Sequence, residues 1–283
     1  MQKRFTIAVF GLGMMGGSFA YALRGFQDGF ILGYDPNEAS CAQALASGAV
    51  DAIVSTPEEA AEAADIALFC SSPETILQNM RRTFPVMRDG CIVSEICGVK
   101  SGMVAFIDAA LPGRLAYVGI HPMAGRERGG FENADAALLR GAGFILVTAQ
   151  RVDPRAVALV QELCEHVGAR RVLQNTAHEH DEIIGYTSDL MHIAAVALCA
   201  QYPENMTMAH TAGAFRDCTR IAQIDAELWT QLLIQNRGGT LAHLRRLQST
   251  LAEYQHALET QDEAALHALL AQAARNKAQM QGL

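Results

Sequence analysis

Short apolar runs separated by polar and alanine-rich stretches set the pattern of the first 175 residues. Residues 5–10, 30–35, 52–54, 66–70, 91–96, 116–120, 144–148 and 171–173 are β-rich runs of strand length. Segments 38–46 and 57–64 have the composition of crossover helices. This alternation predicts a mostly parallel, doubly wound α/β sheet. After residue 175 glycine thins out and long helical patterns take over. Residues 176–201 read as one long helix ending before Pro203, and 228–235, 241–259 and 262–279 read as further helices. Two domains follow from the pattern: 1–175 built on the sheet and 176–283 all helical.

Composition narrows the class. Half of the 283 residues are hydrophobic and 18% are charged, the balance of a globular chain. A net charge of −8 without basic blocks argues against a nucleic-acid partner. Seven cysteines, an odd number with no CxxC pair, read as reduced thiols of a cytoplasmic protein. The start Lys3-Arg4-Phe5 resembles a signal peptide only superficially, because Gly11, Gly13, Gly16 and Gly17 break the apolar run behind it. No uninterrupted apolar segment approaches the roughly 20 residues that span a bilayer, so no membrane partner is expected. The apolar surface of the helical part suggests a homodimer.

Chemistry enters at Gly11-Leu12-Gly13-Met14-Met15-Gly16, between the first predicted strand and a helix. In G-x-G-x-x-G the first glycine permits a tight turn, the second lets backbone approach a pyrophosphate, and the third allows close helix–strand packing. The helix start aims its N–H groups and positive end at the phosphates. Its place after a strand and before a helix makes this a Rossmann-type dinucleotide site. Asp35 ends the second strand about 20 residues past the last glycine, where an acid bonds the adenosine ribose hydroxyls. A carboxylate there repels a 2′-phosphate, and Pro36, Asn37 and Glu38 offer no arginine, which favours NAD over NADP. The competing role for Asp35 is a cap on the next helix. The candidate cofactor residues are Gly11, Leu12, Gly13, Met14, Met15, Gly16, Asp35 and Ser71. Met14 and Met15 also suit packing at the helix start.

Further along, Gly119-Ile120-His121-Pro122-Met123-Ala124-Gly125 puts a histidine at a strand's carboxyl end, near the crevice where such folds bind ligands. An ordinary pKa of about 6.5 suits taking a proton from an alcohol. Ser188 and His192, four apart, share one face of a helix. Arg216 and Arg220 are spaced likewise and offer forks for a substrate carboxylate, unless Asp217 pairs with one of them. His178-Glu179-His180-Asp181 has ligand-type side chains, but His178 and His180 point about 200° apart on a helix. That stretch reads as a polar helix start facing the domain junction, with no metal. Trp229, the single tryptophan, fits a dimer seam or the substrate pocket equally well.

Taken in order, His121-Pro122-Met123-Ala124-Gly125, the segment from Ser188 to His192, and Phe215-Arg216-Asp217-Cys218-Thr219-Arg220-Ile221-Ala222 resemble the prephenate and arogenate dehydrogenases of tyrosine biosynthesis. The resemblance covers nearly the whole chain and includes Val99-Lys100, His180-Asp181, Trp229 and Asn236-Arg237. It implies a Rossmann-type domain followed by a helical dimerisation domain. The implied reaction is NAD-dependent oxidative decarboxylation of prephenate to 4-hydroxyphenylpyruvate, with no metal. In that scheme His121 bonds the ring hydroxyl, and His192 and Ser188 complete the catalytic set. Arg220, with Arg216, holds a substrate carboxylate, and Glu127 matches an active-site acid in part of the family. Two positions depart from the pattern: Asp189 and Met191 replace the histidine and proline of S-H-L-P-H, and Gly98 stands where a serine is usual. Alternatives are an arogenate dehydrogenase, with Glu127 or Asp189 meeting the extra ammonium group, and a catalytically silent NAD-binding homologue.

Overall fold

Alternate residues of the first strand face opposite layers: Ile7 and Val9 enter one hydrophobic cluster, Ala8 and Phe10 another. Both faces are therefore covered, as a parallel sheet requires. The computed structural model describes residues 4–126 and 128–280. Its first part runs β1 (Thr6–Phe10), α1 (Met14–Ala22), β2 (Phe30–Tyr34), α2 (Glu38–Ala46), β3 (Ala52–Ile53), α3 (Pro57–Ala63) and β4 (Ile66–Phe69). It continues with α4 (Pro73–Thr83), β5 (Ile92–Glu95), α5 (Ser101–Ala110) and β6 (Ala116–Tyr117). The six strands pair in parallel in the order β3-β2-β1-β4-β5-β6. The chain reverses direction across the sheet between β1 and β4, so a crevice opens at the carboxyl ends of these two strands.

The apolar run 116–120 does not form one strand. β6 ends at Tyr117, and β7 (Gly119–Pro122) begins a second sheet with β8 (Gly143–Val147), α6 (Pro154–His166) and β9 (Arg171–Asn175) following. β7 and β8 are antiparallel, β8 and β9 parallel. The switch of sheets needs glycine: a Cβ on Gly119 would stand 2.5 Å from Tyr117 Oη and 2.7 Å from Glu95 Oε1. Ile120, Phe144 and Leu146 join the cluster that holds Ile7 and Val9, so the second sheet extends the same core.

From Thr176 onward the chain is helical. Thr176 opens α7 (Ala177–Ile184) with a capping box, its side chain accepting from Glu179 N–H while Glu179 reaches back to the Thr176 N–H. The predicted long helix is interrupted by a π-helical turn at Gly185–Asp189 before α8 (Leu190–Ala200). Next come α9 (Gly213–Thr219), α10 (Ala226–Gln235), α11 (Arg237–Glu259) and α12 (Glu263–Met280). At the π turn a Cβ on Gly185 would lie 3.1 Å from the Gly239 backbone, so α11 crosses α7 at close range. By length and composition alone Ala177–Ala200 is apolar enough to cross a bilayer, contrary to the sequence expectation. Its buried polar residues, His180, Asp181 and Asp189, are each hydrogen-bonded within the protein, as in a core helix.

Candidate active site

The crevice beside β1 is built by glycines. Gly11 has φ +95°, and a Cβ there would stand 2.7 Å from the Cys70 carbonyl oxygen. A Cβ on Gly16 would fall 1.8 Å from Gly11 O, so only glycine lets α1 start this close to the turn. Nothing lies within 4 Å of the corresponding point on Gly13, where a ligand's backbone approach is needed. No side chain caps the first N–H groups of α1. Beside the turn, Ser71 keeps a buried hydroxyl without a partner. Asp35 does not cap α2; Asn37 does. Instead Asp35 accepts from Leu12 N–H at 2.6 Å and Asn37 N–H at 2.7 Å, fixing the glycine turn to the end of β2. A cradle of open backbone, a free helix start, an orphaned hydroxyl and a carboxylate fit a dinucleotide with an unmodified ribose. Met14 is buried and Met15 packs against the core, which matches a packing role.

The second layer of the site lies at the end of β7. His121 Nδ1 is 2.7 Å from His180 Nε2, and His180 Nδ1 is 2.8 Å from Asp181 Oδ1. Asp181 also accepts from the backbone N–H groups of Lys100, at 2.7 Å to Oδ1, and Ser101, at 2.8 Å to Oδ2. Burial alone would raise its pKa, but bonds from His180, Ser101 and Lys100 outweigh burial and hold the carboxyl below its ordinary value. Lys100 braces the strand just before His121. Its fully buried ammonium donates to Glu95 Oε1 at 2.7 Å and to the Ile120 carbonyl at 2.8 Å. Tyr117 Oη donates to that Glu95 oxygen, and Cys97 N–H to the other. Burial first, then the Lys100 ammonium and His180, push His121 well below the ordinary histidine pKa, against a smaller opposing pull from Asp181. His121 is therefore a neutral imidazole at physiological pH. The ring's Nε2 points toward Gly98, whose added Cβ would stand 3.9 Å from it and 3.6 Å from Leu232 Cδ2.

Leu232 lies one turn from Trp229 on α10, and the Trp229 ring stacks on His192 with centroids 3.7 Å apart. His192 Nδ1 donates to the Ser188 carbonyl at 2.9 Å, which fixes its tautomer. Gly98 thus lies between His121 and Leu232, and the helix that carries Leu232 also carries the Trp229 ring against His192. Ser188 contributes its backbone oxygen to this arrangement. Arg220 opens a 3₁₀ turn, Arg220–Ala222, packed against α8, while Arg216 sits one element earlier on α9. Glu127 lies outside the described residues.

Residues 19–173 match the nucleotide-binding domain of prephenate dehydrogenase, and residues 176–272 match its dimerization domain. The chain belongs to the prephenate dehydrogenase family. It is 30% identical over 243 residues to a prephenate dehydrogenase of Bacillus subtilis, covering 83% of this chain and 65% of the relative's length. It is 27% identical to a cyclohexadienyl dehydrogenase of Zymomonas mobilis, over 90% of this chain and 89% of that protein. The crystal structure of prephenate dehydrogenase from A. aeolicus in complex with hydroxyphenyl propionate and NAD+ aligns with a TM-score of 0.88 at 27% identity, over 98% of both chains.

For a member of this family, one sequence reading gains a partner and one needs correction. The polar helix start faces the junction through His180, which is fully buried and bonded to His121, a partner that the reading did not name, while His178 is exposed. Asp189 is no partner for a substrate ammonium. It is 2% exposed, and its Oδ2 accepts from Asn236 and Thr240, tying the start of α8 to α11. Burial raises its pKa despite those bonds. Sequence reasoning also gave no role to Lys100 or Asp181. Val99-Lys100 and His180-Asp181 had stood out as family-like pairs, and a lysine and an acid beside apolar runs were the only further signal.

Proposed function

We propose that this chain catalyses the NAD-dependent oxidative decarboxylation of prephenate to 4-hydroxyphenylpyruvate in tyrosine biosynthesis. The observation that carries the reading is His121: a neutral imidazole held at Nδ1 by His180, on a strand end braced by Lys100, with its Nε2 facing Gly98. The ring 4-hydroxyl donates to His121 Nε2, and its O–H bond breaks as the hydride on the same carbon departs. NAD, when bound, supplies the hydride acceptor. The ring is left as a dienone; its carboxylate leaves as carbon dioxide, and the bonding pair aromatises the ring. The phenolic oxygen then takes its proton back from His121. Gly11, Leu12, Gly13, Gly16, Asp35 and Ser71 hold the dinucleotide. His192, stacked on Trp229 and oriented by Ser188, lines the ring site. Arg220, with Arg216, binds a substrate carboxylate, and Glu127 acts as the acid that the family resemblance implies.

The same reading divides the chain at 175/176 into a cofactor domain and a helical domain, and makes the enzyme a cytoplasmic homodimer joined through the helices. Exposed Leu251, Leu258 and Leu270 on α11 and α12 support that seam. A paired assay tests the function: prephenate and arogenate, each with NAD and with NADP. Prephenate with NAD should have the highest kcat/KM. No turnover of either ring acid by folded protein that binds NAD would leave only the silent homologue.

A further inference from the structure

His121 is one end of a hydrogen-bonded line. His121 Nδ1, His180 Nε2, His180 Nδ1 and Asp181 Oδ1 follow one another at 2.7 and 2.8 Å. The carboxylate end settles the protons along the line. An ionised Asp181 only accepts, so His180 carries its proton on Nδ1. His180 Nε2 then accepts, and His121 carries its proton on Nδ1 as well. The one open lone pair of the line is His121 Nε2, the atom that faces Gly98.

We infer that His180 is a proton-holding residue: the proton taken from substrate by His121 displaces the His121 Nδ1 proton onto His180, where the charge rests against Asp181. This rests on the proposed reaction and adds a second proton transfer to it. The substrate O–H bond breaks and a His121 Nε2–H bond forms. The His121 Nδ1–H bond breaks and a His180 Nε2–H bond forms. His121 ends neutral and His180 ends as an imidazolium bonded to a carboxylate. No oxidant or further reactant is needed, and decarboxylation runs the line in reverse when the phenolic oxygen reclaims its proton.

Three observations carry the inference. The charges are asymmetric: the Asp181 carboxylate bonds His180 directly, whereas the carboxylate near the β7 end, Glu95, is already taken up by the Lys100 ammonium, which also bonds the carbonyl of Ile120. A positive charge is therefore better placed one ring away from the reacting atoms. The acceptor is preorganised, because Asp181 is fixed by two backbone N–H groups, Lys100 and Ser101, and cannot swing to follow a moving charge. Finally, His180 is fully buried, so no water competes for its Nε2.

The full chain with ¹⁵N-labelled histidine gives the first test, without substrate. Both rings should be Nδ1–H tautomers at neutral pH; an Nε2–H tautomer on His121 would overturn the inference. The second test is a proton inventory on single-turnover hydride transfer to NAD in mixtures of light and heavy water. Wild type should give a curved inventory, two protons moving together, and a straight one would count against the relay. His180→Gln keeps an amide able to bond both neighbours but cannot pass a proton. Its hydride-transfer rate should fall by about 10²-fold, with a straight inventory and unchanged NAD affinity. A His180→Gln rate equal to wild type would sink the relay, and if that variant fails to fold, the two wild-type measurements still decide. If neither ring acid turns over, the proposed function falls, while the tautomers still report on the resting line.

Discussion

Two regions of the molecule are built on opposite principles. Around His121, Glu95, Lys100, Asp181 and His180 are buried with every named polar atom paired. On the helical side, Arg216 and Arg220 are exposed, and α9 and α10 contain no buried residue. The first region fixes one atom, His121 Nε2, in one protonation state. The second presents long cationic side chains at the surface of a single protomer. Proton chemistry requires a rigid, desolvated base, whereas recognition of a carboxylate tolerates side chains that order on binding.

The contrast is sharpest in stability. Lys100→Met strands the buried Glu95 carboxylate, so it should cost about 3–5 kcal/mol in urea unfolding. A loss under about 1 kcal/mol would mean that the clamp is not the rigid element claimed here. Next comes chemistry. His121→Asn should lower kcat by about 10²-fold or more, roughly 2.7 kcal/mol, with the unfolding midpoint little changed. Because His121 is held well below its ordinary value, it stays in base form as pH falls. The acid limb of kcat/KM should therefore lie below about pH 6.5, and a limb at or above it would contradict the electrostatics described.

In the helical region the expected effects are smaller and of another kind. Arg220→Gln should raise KM for the ring acid about tenfold, or 1.4 kcal/mol, and leave stability untouched. If unfolding shifts instead, Arg220 belongs to the scaffold. Gly98→Ala is the mildest change. Its Cβ meets Leu232 and His121 only at ordinary contact distance, so thermal unfolding should show a gain of about 0.4–1 kcal/mol. A loss of stability there would show that the gap is tighter than it looks.

Legibility in the sequence followed the same division. The sheet was readable because its strands are apolar runs buried on both faces, and Gly11, Gly13 and Gly16 carry a geometric requirement that spacing preserves. His121 was readable for its place at a strand end. The break at Val118 was not, because the turn onto the second sheet depends on Tyr117 and Glu95 crowding Gly119, a contact between strands. Nor was His180. Helical spacing describes only neighbours on the same helix, and its partner is 59 residues away on β7. Asp189 was misread for the same reason, since Asn236 at the junction of α10 and α11 and Thr240 on α11 reach it.

Stoichiometry decides whether hydride loss and decarboxylation are one reaction on this protein. Prephenate labelled with ¹³C in its ring carboxylate, incubated with the protein and NAD, should release one labelled carbon dioxide for each cofactor reduced and leave 4-hydroxyphenylpyruvate. Reduced cofactor without labelled carbon dioxide, or no reduction by folded protein that binds NAD, would contradict it.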